Sequence, residues 1–231
     1  MGLFDFLKKS SEPKQSTQNL PGPYKDTALN LIYQLLFCDN IDLFKANASQ
    51  PYSYPFDILF SAASTTVDLK KIVDDSGSDP RTRILAYNRL LASGQQPTRK
   101  ELLAVIVEVS MNEGLDVLAS FSDGTARYIN HTGRLLVWEA TDDATANELK
   151  NDLFARSQQI VERIGPWDKP RPSHPVKGNT RISFLVSDGL YFGEGQTNYF
   201  FKDQLAEPAL TSATRLMQYL TEKQLADSSN R

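Results

Sequence analysis

Residues 104–139 read A-V-I-V-E-V-S-M-N-E-G-L-D-V-L-A-S-F-S-D-G-T-A-R-Y-I-N-H-T-G-R-L-L-V-W-E. Four short runs rich in β-branched, aromatic and other apolar residues are separated by N-E-G, S-D-G and H-T-G. Runs of this kind are too short and too stiff at χ1 to prefer a helix, and they suit a pleated, half-buried surface. Each separator ends in glycine, which supplies the positive φ of a tight hairpin turn without a Cβ penalty. The regular spacing predicts four antiparallel strands in a meander.

The same Ser-Asp-Gly recurs at 187–189, after R-I-S-F-L-V and before L-Y-F-G-E. With N-Y-F-F at 198–201 this region predicts two or three further strands. Outside the tripeptide the two copies share no side-chain register. L-A-S also occurs twice, at 91–93 and 118–120, in unrelated contexts. The two copies of S-D-G therefore read as two turns under one backbone rule, not as a duplicated active-site loop.

Between the strand sets, Ala146, Leu149, Leu153, Ile160, Val161 and Ile164 fall on one helical stripe. Acidic residues gather at its start, and Gly165-Pro166 ends it. A final helix is expected from near Pro208, with Leu210, Ala213, Leu216, Met217 and Leu220 turned inward. Upstream, Asp26 or Thr27 caps a helix through Leu29, Leu31, Ile32, Leu35, Leu36 and Phe37. A shorter helix follows over Val67, Leu69, Ile72 and Val73. Asp79-Pro80 starts another, which carries Ile84, Leu85, Asn88 and Leu91 on one side and Gly94 just past its end.

The expected architecture is α+β: a helical N-terminal part, then antiparallel meanders with two long amphipathic helices packed on the sheet. Residues 1–23, polar and Pro-rich after Leu3, Phe4, Phe6 and Leu7, are expected to be a flexible tether. Residues 24–94 form the helical subdomain and 95–231 the α+β domain. Within the latter, two meander-plus-helix halves, 95–165 and 180–225, are joined by the Pro-rich loop 165–179. In element order alone, the chain is similar to acidic secretion chaperones and to profilin-like scaffolds. That resemblance implies an α+β layer and assigns no residue a role.

Composition narrows the function classes. The chain has 231 residues, a net charge of −3 and a pI near 5.5, so it has no general attraction to nucleic acid or anionic membranes. No nucleic-acid partner is expected, and no apolar run is long enough to span a bilayer. The single cysteine, Cys38, lies in the apolar stretch L-I-Y-Q-L-L-F-C, which reads as a helix carrying an inert core thiol. It excludes an intrachain disulfide and fits a reducing compartment, so a cytoplasmic location is expected. The start M-G-L-F-D-F-L-K-K lacks the pattern of a signal peptide.

The spacings that announce catalysis are missing: there is no G-x-S-x-G, P-loop, H-E-x-x-H or paired-cysteine motif. No cofactor and no metal are expected. G-E-G-Q-T-N at 193–198 lacks the third glycine of a dinucleotide fingerprint and runs into Tyr199, Phe200 and Phe201. Glu139, Asp142, Asp143 and Glu148 straddle a helix N-terminus, where free amides stabilise carboxylates without a cation. His131 sits in the H-T-G turn and reads as a solvated turn residue. Arg127 and Tyr128 alternate, so they face opposite sides of their strand.

The loop G-P-W-D-K-P-R-P-S-H-P-V-K-G-N, 165–179, is the segment with most to offer. Its prolines stiffen it, and Trp167, Arg171, His174 and Lys177 set an aromatic anchor beside several donors. It reads first as a strap crossing the sheet edge and second as a binding loop. Two functions follow. The leading one is a non-catalytic, cytoplasmic protein-binding module, chaperone-like or immunity-like, whose partner is another protein or a second copy in a homodimer. The alternative is a small-molecule-binding or enzymatic domain. Its pocket would lie near this loop and the second hairpin, where Arg171, His174, Asp188 and Glu194 would converge.

Overall fold

A computed structural model of the chain describes residues 22–229. The tether expected at 1–23, with its Leu3, Phe4, Phe6 and Leu7 cluster, lies outside the described residues except for its last two positions. Contacts divide the described chain into two compact units. One runs to Glu101 and includes Val186–Gly189; the other comprises Leu102–Leu185 and the residues from Leu190 onward.

The first unit is helical: α1 (Thr27–Leu36), α2 (Ile41–Asn47), α3 (Phe56–Leu59), α4 (Thr66–Asp74) and α5 (Pro80–Ala92). Asp26 is the cap of α1, its carboxylate accepting from Ala28 N at 2.7 Å. The apolar residues of α1 cover more than one face, and Leu29, Leu31, Ile32, Leu35, Leu36 and Phe37 are all buried. Cys38 is not helical as the sequence predicts; it lies beyond the Phe37 cap with φ 52° and is fully buried. Burial pushes its thiol well up, against a smaller opposing pull from Arg81.

α4 carries a capping box between Thr65 and Asp68, which leaves Val67 exposed on the outer side. α5 starts as its sequence requires, with Asp79 as cap and Pro80 in the first turn, and Gly94 follows it with φ 78°. Arg89 donates to the carbonyls of Ile58 and Leu59 and so ties down the last turn of α3.

The second unit holds β1 (Leu102–Met111), β2 (Gly114–Phe121), β3 (Ala126–Ile129), β4 (Leu135–Trp138) and α6 (Ala144–Val161). It continues through β5 (Asn179–Val186), β6 (Gly189–Gln196), α7 (Thr197–Phe200) and α8 (Ala206–Ser229). The strands form one antiparallel sheet in the order β4-β3-β2-β1-β5-β6. The second strand set joins the first in this one sheet, β5 beside β1. The reason is legible in its side chains: Leu103 through Val107 are buried on both faces, so β1 belongs in the sheet interior and pairs on both sides.

Both S-D-G copies are hairpin turns. In the first, Asp123 accepts from Thr125 N at 3.0 Å and Thr125 Oγ1 at 2.8 Å. In the second, Ser187 Oγ donates to Arg99 O and accepts from Glu101 N. N-Y-F-F is helical rather than a strand. Thr197 N and Oγ1 both bond to Gly178 O, turning the chain off β6, and Phe200 folds back against Gly193 and Gly195. α6 and α8 form the helical layer. They are held together by Ser212 Oγ on Asp152 and by Tyr219 OH on Asp143, the cap of α6.

Candidate functional site

Strand alternation sorts the β1–β5 side chains into two chemically different faces. Val107 and Val109 point toward α8, while Glu108 between them points to the other side and is fully buried. On that side, Arg181 of β5 is the hub. Its Nε and Nη2 donate to Glu194 Oε2 at 2.9 and 2.6 Å, its Nη1 lies 3.7 Å from Glu108, and it also reaches Pro172 O. Asn179 donates to the second Glu194 oxygen at 2.8 Å. Burial pushes the Glu194 carboxyl up, but the bonds from Asn179 and Arg181 and the guanidinium charge outweigh it and hold it below its ordinary value. The Arg181 guanidinium also lies over Phe192, 5.4 Å from the ring centre. Further along the same face, Arg127 is fully buried and donates to Ala126 O, Trp138 O and Glu139.

The 165–179 loop runs along β6. Trp167 N donates to Leu190 O at 2.7 Å, and its ring meets Phe192 edge to face at 5.0 Å. Its indole N–H is taken by Pro170 O, and Lys169 lies over the ring. Even so, Trp167 keeps 38% of its surface exposed. Beyond Leu190, no other strand pairs with the outer edge of β6 among the described residues. Outward main-chain groups recur every second residue, so Phe192, Glu194 and Gln196 share the direction of Leu190. Glu194 is exposed as a residue although its side chain keeps only 23% of its area, so it is the main chain that meets solvent.

The site residues expected from sequence do not form one cleft. Glu194 is committed to Arg181 and Asn179. His174 is exposed, with Nδ1 3.3 Å from its neighbour Pro175's carbonyl, and Lys177 is exposed further along the loop. Arg171 is half-buried within it. Asp188 sits in the β5–β6 turn, about 20 Å along the strand from Glu194 at roughly 3.3 Å per residue.

Sequence reading missed Arg181 and Glu108, whose signal is a charge inside an apolar, β-branched run. It also missed a second place. Under α8 lies a cavity of about 60 Å³ lined by Val107, Val109, Leu118, Phe201, Ala213 and Met217, with Asp116, Tyr128 and Thr214 as its polar members. Asp116 Oδ1 accepts from His131 N at 2.5 Å and lies 3.0 Å from His131 Nδ1; Oδ2 accepts from Tyr128 OH at 3.2 Å. Burial, reinforced by the Asp116 charge, pushes the Tyr128 phenol far above its ordinary range, so it stays a donor.

Among the described residues no cluster of His, Cys, Asp or Glu is arranged to hold a metal ion, and no helix is long and apolar enough to cross a membrane. No protein-family model matches the chain, and no curated protein sequence matches it.

Proposed function

We propose that this chain is a non-catalytic protein-binding module that takes an extended peptide segment of its partner along the outer edge of β6. The observation that supports it is that β6 is an edge strand of the described sheet, with Glu194 and Gln196 exposed, exposed Trp167 at one end and exposed Tyr199 just past the other. An unpaired edge offers a row of donors and acceptors to another strand, and flanking aromatic side chains supply anchors for it. The Pro-rich loop acts as a stop: it closes the edge at Leu190 and fixes the register of whatever adds beyond it. The charged groups nearest the edge are spent on internal bonds, which fits recognition through the main chain rather than through a charge code.

Panning a displayed library of extended peptides against the whole chain tests this. Gln196 has φ −58°, which proline accepts, so Gln196→Pro removes one outward N–H without strain. Selected peptides should bind the native chain, slow hydrogen exchange at the Phe192 and Glu194 amides, and bind Gln196→Pro about tenfold less well, the cost of about one hydrogen bond. Peptides that bind without changing exchange on β6 would overturn the edge reading. A second copy pairing through β6 would appear instead as a dimer in light scattering that Gln196→Pro dissociates.

A further inference from the structure

The sheltered carboxylates Glu101, Glu108 and Glu194 each have an arginine within ion-pair distance. Asp116, with 17% of its side chain exposed, has neither lysine nor arginine there among the described residues; the ring beside it, His131, carries charge only when protonated. A carboxylate offers about four acceptor positions, and the two His131 nitrogens and the Tyr128 hydroxyl fill three. The fourth is on Oδ2, beside Tyr128, where both residues line the cavity under α8. The rest of that lining is mostly apolar: Val107, Val109, Leu118, Phe201, Ala213 and Met217. Its volume is about 60 Å³ and it is open on one side, room for the end of a slender group.

We infer that this cavity is a binding site for a primary ammonium on a short alkyl chain, the cation taken by Asp116 and the methylenes by the apolar wall. The charge selects against anions, and the one open acceptor position selects a donor. The wall selects a group with little width: a CH₂–NH₃⁺ end fits and a quaternary ammonium does not. The same chemistry is presented by a free small amine and by the tip of a lysine side chain on another protein.

Methionine-methyl NMR reads the site directly. The chain has three methionines, Met1, Met111 and Met217; of the two among the described residues, Met217 lines the cavity and Met111 does not. Ethylammonium chloride should shift the Met217 methyl signal saturably in the millimolar range, about the ceiling for three heavy atoms. Ethanol, nearly its neutral isostere, should act about tenfold more weakly, as should ethylammonium on Asp116→Asn, because the charge-assisted bond is lost. Tetramethylammonium should leave the signal in place. Nα-acetyl-lysine amide separates the two sources: binding at least as tight as ethylammonium assigns the site to a protein lysine, and exclusion assigns it to a free amine. If Asp116→Asn does not fold, Ala213→Val, which fills the cavity from α8, must remove the response instead. A Met217 signal unmoved by ethylammonium, or moved equally by ethanol, overturns the inference.

Discussion

On the α8 side of the sheet, Val107, Val109 and Leu118 form an apolar wall that stops short of the helix and leaves one carboxylate beside a small cavity. On the opposite side, one residue away in sequence at every step, Glu108, Arg127 and Arg181 are buried to 3% exposure or less, and each guanidinium is spent on carboxylates or main-chain carbonyls. The contrast shows where new chemistry has room. Burying ions is tolerable only when partners and hydrogen bonds offset desolvation, so the charged face is closed on itself. The apolar face tolerates a small void at modest cost, and the void sits where a carboxylate has no permanent cation beside it among the described residues. The face richest in charge is therefore structural, and the poorer face holds the candidate ligand site.

The sharpest way to break this comparison is to remove the hub of the charged face. Arg181→Met should cost about 3–5 kcal/mol, because Glu194 and the fully buried Glu108 lose their shared guanidinium. Replacing all three, as Glu108→Leu, Arg181→Met and Glu194→Gln, should recover most of that loss, since an uncharged trio needs no counter-charge. Urea midpoints at constant slope measure both. A single variant within about 1 kcal/mol of the native chain would mean that the face is wetter than its burial implies.

The apolar face should respond through packing alone. Leu153 of α6 is fully buried, and Leu153→Ala should cost about 3 kcal/mol through lost transfer energy and an uncollapsed hole. Met217→Ala should cost less, about 1–2 kcal/mol, because Met217 already borders a void and is only half-buried. The reverse order would show that the cavity is closed in solution.

Gly114 sharpens the account of Asp116. A Cβ at this position would lie 2.4 Å from the His131 carbonyl oxygen, and the residue holds φ 150°. Gly114→Ala should therefore cost about 1–3 kcal/mol and push the H-T-G turn away. Because His131 supplies two of the contacts to Asp116, the same variant should weaken ethylammonium binding while Leu153→Ala leaves it alone.

Much of this fold is legible in the sequence because local rules and burial agree there. The three glycine-ended separators turn as hairpins, Asp26 and Asp79 cap their helices, and the Leu153 and Leu210 stripes face inward. Legibility fails where a distant contact decides. N-Y-F-F has strand propensity, but Gly178 O captures Thr197 and turns it into a helix. Cys38 continues an apolar helical run, yet the helix has already ended at its cap. The sites were harder still. Arg171, His174, Asp188 and Glu194 gather in one stretch of sequence but not in one cleft. Asp116, Tyr128 and His131 are scattered over two strands and a turn, and strand register alone brings them together. Alternation did separate Arg127 from Tyr128; which face was core depended on α8, more than 70 positions later, at about the limit of any pattern argument.

The smallest expected effect concerns pH and Glu194. Its carboxyl is held below the ordinary value of 4.5 despite partial burial, by Asn179 and Arg181. The unfolded chain thus binds a proton more readily than the folded one in this range, so the stabilisation is fully present above about pH 4.5 and is lost as pH falls through the depressed native value. Glu194→Gln keeps one acceptor oxygen, enough for Arg181 or Asn179 but not both, and cannot titrate. Its stability should fall less steeply than that of the native chain below pH 4.5, and the two curves should run parallel above it. Equal slopes on the acid side would mean that Glu194 titrates alike in both states, and that Arg181 is held on this face by Glu108 and by packing against Phe192 instead.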